Sequence, residues 1–157
     1  MSRFVIVAMI CIMSSGAMAR ASGAASGRLV PLSSGQYDRL TPAIRAALDR
    51  AQRECGNEYI TVRNGFLRYL QGVMGEEFTA VHFDEIGCAK RAELCSSSGC
   101  LHRVFVSRAG LQREVWRGEA SEIDMSIVAG AAAIEVHCGA FDHSCCRRLI
   151  WNGSRFR

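Results

Sequence analysis

Eight cysteines stand in this chain of 157 residues, and the compartment the chain reaches decides what they become. Thiols stay reduced in the cytoplasm, whereas cysteines of an exported chain pair into disulfides that limit the folds available to it. The N-terminus reads as an export signal. Met1-Ser2-Arg3 carries one positive charge, and residues 4–13 (FVIVAMICIM) form an apolar run. That run suits a signal peptide and falls short of the roughly 20 residues a membrane span needs. Ser14-Ser15-Gly16 breaks it, and Ala17-Met18-Ala19 supplies the small-x-small pattern of a cleavage site. The expectation is a Sec-type signal peptide over residues 1–19, cut after Ala19, and a periplasmic or secreted product. The alternative is an uncut anchor. Ala8-Met9-Ile10 before Cys11 lacks the small residue a lipidated cysteine wants, and no second apolar stretch predicts stable membrane insertion.

Cys11 leaves with such a signal, and seven cysteines remain: Cys55, Cys88, Cys95, Cys100, Cys138, Cys145 and Cys146. Cys95-Ser-Ser-Ser-Gly-Cys100 closes a small loop. Cys138 and the Cys145/Cys146 doublet flank another, which leaves Cys55 to pair with Cys88. Spacing alone does not prove this connectivity. The odd count leaves one member of the doublet over. We expect it buried and inert; the alternative is a bridge between two chains, giving a disulfide-linked dimer. No C-x-x-C redox motif is present.

Residues 20–40 begin as a Ser/Gly/Ala-rich lead-in that reads as flexible, and residues 41–157 as a single globular domain. Thr41 and Pro42 mark a helix start. Ile44, Ala47, Leu48, Ala51 and Cys55 recur on one helical face, and Gly56-Asn57 ends the helix. Beyond it the period changes to that of strands: residues 78–83, then 101–106 and 111–116 as a hairpin-like pair, then 123–127 and 132–137. Residues 149–151 run into Asn152-Gly153, a strong hairpin signal. The expected fold class is α+β: one N-terminal helix packed on an antiparallel sheet of short strands, stapled by disulfides.

The chemistry-bearing residues are sparse. His82, His102, His137 and His143 are the histidines, and the last two stand in His137-Cys138-x4-His143-x-Cys145-Cys146. Imidazole and thiolate there could hold zinc or Cu(I), with His137, His143 and Cys146 as ligands, yet an oxidised Cys138 cannot ligate. A disulfide loop beside surface histidines is the favoured reading, with no cofactor and no metal. Glu76-Glu77 and Asp84-Glu85 are neighbours that point to opposite strand faces, so they make no acid/base dyad. Ser96, Ser97 and Ser98 lack a nucleophile elbow. Trp116 and Trp151 are candidates for interaction or for packing. The net charge of +4 comes almost wholly from arginine, Lys90 being the one lysine, and it shows no clustered stripe of the kind that binds nucleic acid.

Several of these features together resemble a group of small exported proteobacterial proteins of uncharacterised function. The likeness runs through Cys95–Cys100 with the strand after it, Trp116, His137-Cys138-Gly139 and Trp151-Asn152-Gly153-Ser154-Arg155-Phe156. The resemblance implies an Asp-rich, calcium-loop-like segment upstream. Here that stretch reads Tyr69-Leu70-Gln71-Gly72-Val73-Met74-Gly75-Glu76-Glu77-Phe78, and Tyr69, Gln71 and Val73 replace oxygen ligands, so no calcium is expected.

The sequence favours an exported, non-enzymatic binding or interaction domain whose partner is an unknown protein or cell-envelope component. Two alternatives stand beside it. One is a periplasmic metal-handling protein using His137, His143, Cys145 and Cys146. The other is a secreted virulence-type effector or hydrolase with a site assembled from distant residues.

Overall fold

A helix with one apolar face must bury it, and the longest helix among the described residues buries it on a sheet. The computed structural model describes residues 27–139 and 146–157. Along them run β1 (Val30–Pro31), α1 (Ser34–Asp38), α2 (Pro42–Cys55), β2 (Thr61–Val62), β3 (Leu67–Gln71), β4 (Glu77–His82), β5 (Cys95–Ser96), β6 (Gly99–Arg108), β7 (Leu111–Ala120), β8 (Glu122–Val128), β9 (Ala131–His137) and β10 (Arg147–Ile150). Single turns of 3-10 helix occupy Phe83–Glu85 and Arg91–Glu93.

α2 starts at Thr41-Pro42, and Gly56 in the left-handed region ends it. Its buried residues are Ile44, Ala47, Leu48, Ala51 and Cys55, the face that the periodicity predicts. They meet Val81 and Phe105 of the central sheet and Phe83 of the turn after β4. That sheet is antiparallel, with neighbours β3-β4-β6-β7, and β5 pairs the first residues of β6. A second antiparallel sheet, β10-β9-β8, lies against the other face. Phe78, Ala80, Val104 and Val106 from the central sheet and Ile123, Ile134, Val136 and Phe156 from the far side form that second core.

Among the described residues the architecture is therefore mixed, with two helices and two main antiparallel sheets, in the order helix, sheet, sheet. Two features differ from the sequence expectation of one helix on one sheet. The strands divide into two stacked sheets, so the inner strands β4 and β6 of the central one are buried on both faces. In β4 the polar residues of both faces are buried: Thr79 on the face of Val81, and His82 on the face of Phe78 and Ala80. The other difference is α1, which lies in the stretch read as lead-in. Ser33 caps it by accepting from Gln36 N–H, and the Gln36 side chain returns a bond to Ser33 N–H. This S-x-x-Q capping box was present in the sequence as Ser33-Ser34-Gly35-Gln36. β1 ahead of it pairs with β2.

Two hairpins turn through Ala-Gly. Ala109 and Gly110 joining β6 to β7, and Ala129 and Gly130 joining β8 to β9, all have positive φ, as a two-residue turn matched to strand twist requires. The calcium-loop-like stretch forms the β3–β4 hairpin instead. Its turn is closed from within, since Glu76 is buried and its carboxylate accepts from Met74 N–H at 3.1 Å.

Cys55 is bonded to Cys88 and Cys95 to Cys100. The first ties the end of α2 to the segment after β4, across a separation of 33 residues; the second spans 5. Chain entropy makes the longer loop worth more, about 3–4 kcal/mol against about 2 kcal/mol. Replacing Cys55 and Cys88 by alanine together is expected to lower unfolding free energy in urea by more than the Cys95/Cys100 pair does. The opposite order would show that the short loop carries the fold.

Candidate functional site

Two places in the fold gather chemistry: a cavity beside the helices and a buried histidine pair on the far face of the central sheet. The cavity, of about 550 Å³, opens between β1, the α1–α2 connection and the β2–β3 segment. Leu32, Leu40, Val62, Phe66 and Leu67 give it an apolar wall, and Arg28, Arg39 and Arg63 bring guanidinium groups; no carboxylate lines it. Arg63 also reaches Glu85 at 3.7 Å. Arg28 and Arg39 form no ion pair among the described residues, so their charges are available to a ligand.

The histidine pair arises from strand register. His82 and His102 stand directly opposite one another on β4 and β6. By alternation they share the face of Phe78, Ala80, Val104 and Val106. The rings meet edge to face with centroids 5.0 Å apart. The 3-10 turn after β4 brings the Asp84 carboxylate within 3.9 Å of His102 Nδ1. His102 Nε2 stands 3.1 Å from the Ala120 carbonyl. A carbonyl only accepts, so Nε2 carries the proton and neutral His102 presents a bare Nδ1. His82 Nε2, His102 Nδ1 and Asp84 Oδ1 are buried without a hydrogen-bond partner.

Burial governs the charge of this group. It pushes the His82 pKa down to about 3, helped by repulsion from His102 and Arg68. His102 is also pushed down by burial, against the upward pull of the Asp84 carboxylate and the Ala120 bond. Glu85 is pushed up by burial and by Asp84, with Arg63 opposing. Both imidazoles are thus held in the neutral form that donates a lone pair. Arg68 on β3 is turned to other partners, Glu122 at 3.5 Å and Asp124 at 3.3 Å.

The site residues expected from sequence are dispersed. His137 lies at the end of β9, and its Nε2 contacts Asp124 Oδ2 at 3.1 Å. His143 and Cys145 fall outside the described residues. Cys138 is disulfide-bonded. Cys146 is free and exposed, not buried as expected, because it precedes β10 at the surface. The structure therefore does not unite His137 and Cys146 into a described ligand set. Trp116 and Trp151 are half-buried in the second core. Trp151 stacks edge-on with Phe78 at 5.2 Å and lies under Arg113; it also lines a hollow of about 340 Å³ with the exposed Leu111. His82, Asp84 and His102 are each named in the sequence reading but are not joined there into one site. The available signal was His82-x-Asp84 at a strand end with a second histidine in the next long strand, but its meaning depends on register.

No protein-family model, curated protein or solved structure matches this chain. Fold and sites define a disulfide-stapled α+β domain with a basic-rimmed apolar cavity.

Gly99 controls the backbone that His102 leans on. It sits at φ +130°, and an added Cβ would fall 2.1 Å from the Ala120 carbonyl group. Gly99→Ala is expected to cost at least about 2 kcal/mol of stability in chemical denaturation. An unchanged midpoint would mean that the β6–β7 ladder is slack there.

Proposed function

We propose that this chain is an exported, non-enzymatic binding domain, and that its ligand is an amphipathic anion, a single acyl chain with a carboxylate or phosphate head. The cavity carries the reading. Its volume is in the range of small-molecule sites, which are mostly apolar with a few placed polar groups. An acyl chain suits the wall of Leu32, Leu40, Phe66 and Leu67, and an anionic head suits the three arginines, for guanidinium binds carboxylate and phosphate through paired hydrogen bonds. A neutral apolar ligand would leave those charges unused, and a cation would be repelled.

Export belongs to the same proposal. The N-terminal signal pattern supports a periplasmic or secreted location, and the disulfides fit an oxidising compartment. An envelope lipid component is then a ligand within reach. Kinship with the small exported proteobacterial proteins is also part of this reading, supported by the Cys95–Cys100 loop and the Trp151 hairpin.

Binding of a fluorescent long-chain fatty acid tests it. Arg39→Ala is expected to weaken binding about tenfold, the loss of one charge-assisted hydrogen bond, and the methyl ester should bind comparably weakly to the parent protein. Equal affinity for acid and ester, or an Arg39→Ala protein that binds as tightly as its parent, would refute the proposal.

A further inference from the structure

We propose that His82, Asp84 and His102 form a binding site for a borderline divalent metal ion, Zn²⁺ foremost, separate from the cavity. The ligands would be His102 Nδ1, Asp84 Oδ1 and the unpartnered Nε2 of His82. One donor atom from each of the three residues lies within 4.8 Å of the other two.

The first support is the state of those atoms. All three are buried, and none has a hydrogen-bond partner. A buried polar atom left unpaired costs about 1–3 kcal/mol. Three together would remove a large part of the 5–15 kcal/mol that holds an ordinary domain together. Something should satisfy them. The Asp84–His102 distance of 3.9 Å is too long for a direct hydrogen bond. With the His82 proton on Nδ1 the three atoms are all acceptors, one more than the two protons of a single water molecule can serve. A divalent cation can, and it also offsets the Asp84 charge.

The second support is orientation. Metal-bound histidines usually donate their other ring N–H to a carbonyl or carboxylate, which fixes the tautomer and aims the ligand nitrogen. His102 has this arrangement: Nε2 is anchored to Ala120 O at 3.1 Å, and Nδ1 faces Asp84. The third is geometry. Ligands about 2.0–2.1 Å from a tetrahedral zinc stand about 3.4 Å apart. The 3.9 Å edge is close to that, and no edge has to close by more than about 1.4 Å.

The donor set selects the ion. Two imidazoles and one carboxylate suit zinc and its first-row neighbours over calcium or magnesium, and the absence of thiolate from the set disfavours Cu(I). The two histidines are buried, while the Asp84 side chain is 28% exposed. Entry, and a remaining coordination position for solvent, are therefore on the Asp84 side.

The test uses untagged oxidised protein carrying Cys146→Ser, so that the free thiol found among the described residues does not compete. Equilibrium dialysis should find a single tightly bound Zn²⁺, and Co²⁺ should give the visible absorbance of a low-coordinate nitrogen/oxygen site. Asp84→Asn is expected to weaken Zn²⁺ binding at least tenfold while the metal-free protein keeps its cooperative unfolding. His102→Gln should abolish binding; if it fails to fold, Asp84→Asn decides. His137→Gln should leave affinity unchanged. A parent protein that retains no Zn²⁺, an Asp84→Asn protein of full affinity, or binding lost on His137→Gln would each overturn the assignment.

Discussion

The pairing of β4 with β6 is the constraint on which the rest of the molecule depends. These strands exchange ladder bonds from Glu77↔Ser107 to His82↔His102, and both sides of the ribbon are covered. From Phe78 to His82 on β4, and at His102, Val104, Phe105 and Val106 on β6, the side chains are buried and need a place in one core or the other. Val81 and Phe105 turn to α2; Phe78, Ala80, Val104 and Val106 turn to the second sheet. Apolar residues satisfy this by burial alone. Thr79, His82 and His102 cannot, since each brings polar atoms that water no longer reaches. The place where the ribbon is most polar is the place where its chemistry gathers.

The disulfides hold the two ends of that place. Cys100 stands two residues before His102, and its bond to Cys95 folds β5 back onto β6. Cys88 lies four residues beyond Asp84, and its bond to Cys55 ties that segment to α2. The staples thus do more than restrict the unfolded chain. They fix the backbone on either side of a turn whose carboxylate must meet a histidine from another strand. Disulfide-rich domains of modest size commonly rely on such links because their cores are limited.

Much of this was legible in the residues, and the reasons differ by element. α2 was readable because Ile44, Ala47, Leu48, Ala51 and Cys55 repeat at helical spacing between a start and a stop signal, and local pattern is enough for that. The Cys55–Cys88 and Cys95–Cys100 pairs were readable from short spacing and elimination. The hairpin of β6 and β7 followed from Arg108-Ala109-Gly110. The second sheet was not readable, because alternation reports which residues share a face and is silent on whether a face is wet. His82 looked like a polar strand position and is a buried one. The histidine pair was hidden for a related reason: twenty residues separate the rings in sequence, and only the β4–β6 register places them opposite each other. The cavity was hidden most completely. Arg28, Arg39 and Arg63 converge through β1–β2 pairing and the short α1, elements too brief to show a period.

The cavity and the histidine site lie against different cores, yet they share backbone and charge. Phe66 lines the cavity, and its carbonyl accepts the His82 N–H at 2.8 Å. Arg63 lines the cavity and reaches Glu85, the neighbour of Asp84. Its guanidinium opposes the upward push that burial and Asp84 exert on the Glu85 carboxyl. An anion in the cavity and Glu85 would therefore draw on the same guanidinium, and a cation between His82, Asp84 and His102 would change the field that Glu85 feels. Linkage is reciprocal wherever two sites share such a group: whatever one occupant does to the affinity for the other, the other does in return. The short segment from Arg63 to Phe66, with no regular structure of its own, is the part of the fold where the two sites meet.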